Sequence, residues 1–396
     1  MTNSPIDLPY LPDELLLHCL ACVSRCYYPT LSLVSKRFCS LVASLELYKA
    51  RTLLGRTEKC LYVCLRLSSE TRPRWFTLCR NPTLTPNRSP NPNPKPNPDL
   101  NLRWFPSYNG PQRILANHTI NEEKKLSDNH ELVSVPTCIY YPPFGWPRAA
   151  SGSNIYIIGG YFDASYSTKL VFFMDCRSHT SHKAPSTQMA RNRPLVNVID
   201  GKIYVVKGCK NPDSSNMIEF FDPKTQIWEY LPCPIADIHK SHELRSLAIN
   251  GKLYLFGNKR VVYDPKENRW DVGSLDDRLH LASYYSSCVI DNVIYYYHAY
   301  IRRIWWYDPE RRLGGLLLGL AKLPKLPTQV RMVDYGGKIM ILWEKEVVPA
   351  TKVIYCAEIA LERRNTEDMY GKIEWRDIVL KLSKPYDILE VITATV

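Results

Sequence analysis

No stretch of this chain approaches the roughly 18 uninterrupted apolar residues that a membrane-spanning helix requires. The nearest, LGGLLLGLA from Leu313 to Ala321, is half that length. The features of a secretory leader are missing too: the first ten residues hold no Lys or Arg, Asp7 is acidic, and no small-x-small cleavage site follows the apolar run Leu11–Val23. A soluble chain of the cytoplasm and/or nucleus is expected, with no membrane partner. Catalytic signatures are also lacking. There is no G-x-S-x-G elbow, no H-E-x-x-H helix and no phosphate-cradling Gly-rich loop. Gly159–Gly160, inside YIIGGYFD, reads as close backbone packing within a strand.

The 13 cysteines are odd in number and scattered from Cys19 to Cys356, in a chain too long to need disulfide staples. Reduced thiols are expected. Cys19, Cys22 and Cys26, with Cys39 behind them, resemble half a zinc site, but no second half follows at finger-like spacing. On a helix the first three fall at i, i+3 and i+7, a core or interface face. Copper would need paired His, and the close pairs, His179–His182 and His239–His242, fall in expected loops. No metal, cofactor or catalytic residue is expected.

What is present favours strands and turns. Tyr is frequent at 26 residues and Pro at 30, against 17 Gly, and 45% of the 396 residues are apolar. That supports two or three domains with ample core. The formal charge is +12, but basic residues come as dispersed pairs such as Arg302–Arg303, Arg311–Arg312 and Arg363–Arg364. Nucleic acid is therefore not an expected partner.

LPDELLLHCLACV opens with signals for a helix start. Pro12 suits the first turn, and Asp13 and Glu14 complement the positive end of the helix dipole. Leu15, Leu16, Cys19, Leu20 and Val23 recur at helical spacing, and TLSLVSKRFCSLV restarts the pattern with Leu31, Val34, Phe38 and Leu41. Ser44 is an N-cap and Gly55 a stop for a third helix. Three short helices cannot bury this much Leu, Val and Phe among themselves, so a partner surface is expected.

This segment resembles the F-box, with its Leu-Pro start, apolar first helix and LVSK-x-F second helix. The resemblance implies docking onto a Skp-type adaptor, and through it a cullin scaffold and a ubiquitin-conjugating enzyme. By position, the docking residues are Leu11, Pro12, Leu15, Leu16, Leu20, Val34, Ser35, Lys36 and Phe38. Phe38 stands where many members carry Trp.

Residues 1–57 are thus read as a helical module and 58–396 as a second domain. Within the latter, residues 81–100, with NPTLTPNRSPNPNPKPNP, are expected to be a disordered insertion. From about Arg148 the sequence repeats. SNIYIIGG, GKIYVVKG, GKLYLFGN, DNVIYYYH and GKIMILWE align on Tyr156, Tyr204, Tyr254, Tyr295 and Met340, at intervals of 41 to 50 residues. The first four are followed by a strand ending at an acidic turn: Asp175, Asp222, Asp264 and Asp308. Trp228 and Trp270 fall six residues after their Asp, a large apolar slab to pack against the adjacent copy.

These copies resemble the kelch repeat, which implies blades of an all-β propeller. They depart from it in keeping a Gly-Gly doublet only at Gly159–Gly160 and in having Ser181 and Gly314 where Trp is expected. CLYVCLRL (60–67) adds a sixth innermost-type strand, and ILEVITATV (388–396) is expected to close a six-bladed ring by pairing with it. An F-box joined to such repeats is similar to the plant-type F-box/kelch-repeat family. That implies a non-catalytic substrate receptor of a Skp–cullin–F-box ubiquitin ligase, its propeller holding a target protein. The alternative is a kelch interaction or ligand-sensing module that engages no ligase. Arg148, Arg193, Arg245 and Arg331 recur just ahead of four aligned strands. They are read either as cations presented to an acidic target or as buried arginines bonding blade carbonyls.

Overall fold

The computed structural model describes residues 11–68, 70, 72–80, 130–135 and 147–396, except loop positions 161–166, 211–212, 214, 236–237, 239–242, 274–285, 349–350, 366 and 383–384. The expected insertion at 81–100 and the pair His239–His242 lie outside the described residues.

Polar caps shape the helical module. It comprises α1 (Asp13–Ala21), α2 (Tyr28–Leu31), α3 (Lys36–Val42) and α4 (Leu45–Leu53). The Ser44 hydroxyl accepts from Leu47 N–H at 3.3 Å and starts α4, as its sequence position predicts. Pro12 sits one residue earlier than expected, as the N-cap of α1. The periodicity through TLSLVSKRFCSLV predicts one helix, and the structure breaks it. Ser35 is extended (φ −163°) and its hydroxyl accepts from Phe38 N–H at 3.2 Å, capping a new helix instead of continuing the old one. Cys19 and Cys22 are exposed and Cys26 lies beyond α1, so these thiols do not share one helical face.

Six four-stranded antiparallel sheets follow. Blade 1 contributes β1 (Lys59–Leu67), β2 (Arg74–Arg80) and β3 (His130–Val135). Blade 2 is β4 (Arg148–Ser151), β5 (Asn154–Ile158), β6 (Val171–Asp175) and β7 (Thr180–Ala184). Blade 3 is β8 (Leu195–Ile199), β9 (Lys202–Val206), β10 (Ile218–Asp222) and β11 (Ile227–Tyr230). Blade 4 is β12 (Arg245–Ile249), β13 (Lys252–Phe256), β14 (Arg260–Asp264) and β15 (Arg269–Gly273). Blade 5 is β16 (Ser287–Ile290), β17 (Val293–His298), β18 (Arg303–Asp308) and β19 (Leu313–Leu316). Blade 6 is β20 (Val330–Asp334), β21 (Ile339–Val348), β22 (Thr351–Arg363) and β23 (Met369–Leu382).

The last strand, β24 (Tyr386–Thr395), pairs with β1 from Lys59↔Thr395 to Leu67↔Tyr386 and becomes the innermost strand of blade 1. It lies against β4 on one side and β20 on the other, closing the ring. At the rim, His130 of β3 stacks on Trp375 of β23 (3.8 Å) and reaches Asp377 at 2.7 Å, joining blades 1 and 6 again.

The motif strands are not innermost, as their apolarity suggested. CLYVCLRL, SNIYIIGG and their equivalents form β1, β5, β9, β13, β17 and β21, each second from the axis. A second strand is covered on both faces by neighbouring blades, which is why it is apolar throughout. The innermost strands edge the channel and are mostly half-buried, as in RAAS (β4) and LVNVI (β8).

Turn chemistry follows the repeat. Asp175, Asp222, Asp264 and Asp308 accept from the backbone N–H of Arg177, Lys224, Lys266 and Arg311 at 2.8–3.1 Å. Four residues after each Asp the chain turns left-handed, at His179, Gln226, Asn268 and Arg312. Trp228 packs as expected, stacking on Phe221 and donating Nε1–H to Pro185 O of the preceding connection (2.8 Å). Gly159 answers a close approach: at φ +67° its missing Cβ would stand 2.7 Å from Arg191 O.

Blade 2's first turn touches blade 3's, Ser151 Oγ donating to Gly201 O (2.6 Å), and Asn197 of β8 reaches Ser246 of β12 (2.6 Å). The inner strands therefore run alike, which defines two faces. One holds the Gly152, Arg177 and Asp334 turns, and the helical module sits there. Glu58, between α4 and β1, exchanges two backbone hydrogen bonds with Val396, both 2.9 Å.

Candidate functional site

The helical module has a closed core and an uncovered apolar surface. Leu16, Leu20, Ala21, Tyr28, Leu41, Val42 and Leu47 are buried together. Leu11, Leu15 (55% exposed) and Val34 (63% exposed) are not, and Pro12, Ser35 and Lys36 are exposed beside them while Phe38 is half-buried. Arg37 gathers these positions: its Nε donates to Asp13 at 2.7 Å and a terminal nitrogen donates to Leu11 O. That ties the start of α1 to α3. Of the nine sequence-predicted docking residues, Leu16 and Leu20 thus serve the module's own core. Leu33, Leu45, Leu53 and Leu54 are exposed apolar residues that the pattern did not single out. Covering an exposed Leu or Val is worth ~1.5–3 kcal/mol each, so this surface can supply a stable interface.

A second arrangement joins the module to the propeller. The turn at Arg25–Tyr27 pushes the Arg25 side chain into blades 1 and 2, where it is buried. Its guanidinium donates to Tyr62 Oη (3.0 Å), to Cys176 O and to His179 Nε2 (3.1 Å), and lies over the Tyr48 ring of α4 at 5.6 Å. Tyr62 Oη also reaches Cys176 O and His179 Nε2, at 3.1 and 3.0 Å. Burial, and then the Arg25 charge, hold the His179 imidazole well below its usual pKa, so it is neutral. Arg51, also buried, pairs with Glu58 at 3.0 Å and donates to Val23 O (2.7 Å) and Tyr28 Oη (2.9 Å). Burial, with Cys60 and Glu58 nearby, raises the Cys26 thiol to about 11. It is a poor nucleophile there.

The four repeat arginines all lie toward the opposite face but do not form one ring. Arg148 lies over Trp75 at 5.6 Å, and it and Arg331 stand near the half-buried Glu390 of β24. Desolvation raises the Glu390 carboxyl above its usual pKa, an effect that Arg148, the Val391 N–H and Arg331 only partly offset. Arg331 also borders a cleft of about 200 Å³ with Trp343, Glu344 and Asp387. Arg193 and Arg245 are exposed at blades 3 and 4, where Lys207 is held below its usual pKa by burial and then by Arg245. An Arg outside the aligned four bonds blade carbonyls from a buried position. Arg191 is fully buried, pairs with Glu219 at 2.5 Å and donates to Lys207 O, Met217 O and Asn216 O.

Residues 8–50 match the family model described as F-box domain, and residues 75–380 match FKB95, Kelch-repeats domain. A putative F-box/kelch-repeat protein of Arabidopsis thaliana is 54% identical over 404 residues, covering 100% of both chains. The chain belongs to the F-box/kelch-repeat family. A second putative member from the same plant is 55% identical, covering 100% of this chain and 98% of its own. A third, an F-box/kelch-repeat protein, is 41% identical over 98% and 94% of the two chains.

An F-box on a kelch propeller supports, in general, a substrate-receptor role in Skp–cullin–F-box ligases, in a family that is typically a non-catalytic adaptor. An F-box implies binding to a Skp-type adaptor. The uncovered apolar side chains of this F-box include Leu11 and Leu15 at the start of α1 and Val34 just ahead of α3. The Arg25 junction escaped the sequence reading because nothing local marks it. A lone Arg in RCYY gains meaning only when a turn 151 residues away folds over it.

Proposed function

We propose that this chain is the target receptor of a Skp–cullin–F-box ubiquitin ligase. Its F-box docks the Skp-type adaptor through Leu11, Pro12, Leu15, Val34, Ser35, Lys36 and Phe38, and its propeller holds a target protein on the opposite face. The observation that carries the docking is the exposure of Leu15 and Val34 on a module whose core is already closed. Ubiquitin transfer belongs to other subunits, reached through the cullin scaffold, and the receptor acts by proximity. Fixing a target lysine near a charged ubiquitin donor raises its effective concentration. The buried Arg25 and Arg51 contacts support this role, because they hold the two docking surfaces at a set separation. The cytoplasm and/or nucleus is the proposed location.

The test is a pull-down of the purified full chain with a Skp-type adaptor, comparing wild type with Leu15→Asp/Val34→Asp. Binding lost in the variant at an unchanged melting temperature supports adaptor docking. A wild-type chain that binds no adaptor leaves a kelch interaction or ligand-sensing module instead.

A further inference from the structure

The hairpin between β17 and β18 differs from its equivalent in blade 4. Its four-residue tip, Ala299–Arg302, is closed by Arg302 N–H donating to His298 O at 2.7 Å, with Arg302 left-handed at φ 56°. Tyr300 at this tip is 89% exposed and Ile301 is 52% exposed. The corresponding tip in blade 4 is Gly257–Asn258–Lys259, with no large apolar group. Leaving a Tyr and an Ile uncovered side by side forgoes burial that a hairpin of Asn and Gly would not require.

The tip is also held in place. The His298 ring meets Tyr300 edge-on at 6.2 Å, and Tyr297 Oη donates to Pro327 O at 2.8 Å. That bond fixes the connector carrying the exposed Lys325 at the hairpin's base. An aromatic anchor on a fixed turn loses little conformational freedom on binding, and Tyr and Arg are the residues that most often dominate interface energies. The charged residues of the tip itself are basic. Arg302 and Arg303 directly follow the apolar pair, and among the described residues no carboxylate pairs with either guanidinium; Arg303 donates at 3.5 Å to Arg302 O. Lys259 and Arg331 lie on the same face in the two neighbouring blades, Arg331 beside Glu344 and Asp387.

We propose that Tyr300 and Ile301 form the anchor for target capture, and that the captured element is an acidic protein segment bearing apolar side chains. Those side chains cover Tyr300 and Ile301, while its carboxylates pair with Arg302 and Arg303. This rests on the receptor reading for the word target, but the site itself does not depend on the adaptor.

The experiment pans the purified full chain against a displayed library of random peptides and measures the selected peptides by fluorescence anisotropy. The expected consensus alternates Asp or Glu with apolar residues. Tyr300→Ala/Ile301→Ala is expected to weaken binding at least tenfold, and Arg302→Glu/Arg303→Glu to abolish it, both at an unchanged melting temperature. Raising salt should weaken the wild-type interaction. Selected peptides without acidic residues, or equal affinity in the Tyr300→Ala/Ile301→Ala variant, overturn the proposal. So does finding that the same variant loses binding to anionic phospholipid vesicles or self-association instead of peptide binding. Adaptor pull-downs with these variants separate the two readings. Anchor-dependent peptide binding without adaptor binding sinks the ligase role and leaves this site standing.

Discussion

The guanidinium of Arg25 and the imidazole of His179 lie 3.1 Å apart in the junction between the F-box and blade 2. An arginine only donates, so His179 Nε2 accepts and the ring proton sits on Nδ1. The buried cation meets neutral acceptors here, not a carboxylate, which makes the contact sensitive to any change in either residue.

Arg25→Ala is therefore expected to loosen the junction and leave the blades intact. Hydrogen bonds to a charged group contribute about 1.5–3 kcal/mol each, and several vanish together. Amide exchange in α4 and in the β6–β7 turn should accelerate, while β9, β13 and β17 keep their protection. Unchanged exchange at α4 and that turn would show that the residue holds nothing.

Acidification tests His179. Its folded-state pKa is depressed, first by burial and then by Arg25, so the unfolded chain binds a proton the folded chain refuses. Its contribution is complete above the unfolded value of about 6.5 and is lost as pH falls below it, at a limiting slope of about 1.4 kcal/mol per pH unit. His179→Asn, matching Asn268 at the same left-handed turn position, should flatten that part of the stability profile. Parallel profiles for the two proteins between pH 6.5 and 5, followed by chemical denaturation, would contradict this.

Breaking the Arg191–Glu219 pair should be costly, because both side chains are fully buried. Glu219→Gln leaves a buried guanidinium without its counter-charge, at a cost of about 3–5 kcal/mol. Denaturant titration reads this directly. A loss of less than about 1 kcal/mol would mean the carbonyls of Lys207, Met217 and Asn216 suffice for Arg191.

Deleting residues 386–396 removes the innermost strand of blade 1 and uncovers β1, β4 and β20 together. Loss of the cooperative melting transition is expected, with a larger hydrodynamic radius on size exclusion. A truncated chain that melts like wild type would refute closure by β24.

Local chemistry was the legible part of this protein. Asp222–Pro223 and Asp264–Pro265 announce turns because the carboxylate bonds its own backbone, and their spacing announces blades. What failed was anything settled by tertiary packing. Leu15, Leu16 and Leu17 are consecutive, so periodicity could not separate the exposed Leu15 from the buried Leu16. Ser35 fits a helix interior and a cap equally well, and the cap prevailed because it satisfies Phe38 N–H. The apolar motif strands suggested the axis, yet double coverage by neighbouring blades explains them one strand further out.

The pairing of β24 with β1 also sets a timetable for synthesis. Lys59–Leu67 leaves the ribosome about 320 residues ahead of its partner. At ~5–20 residues per second, the edge of the first blade waits tens of seconds for the strand that covers it. During that interval an apolar strand with open backbone groups is a template for mispairing. The F-box helices, whose core is built from neighbouring residues, face no such wait. The nascent chain thus passes through a stage with a finished F-box and an open ring, and chaperone occupancy should peak there.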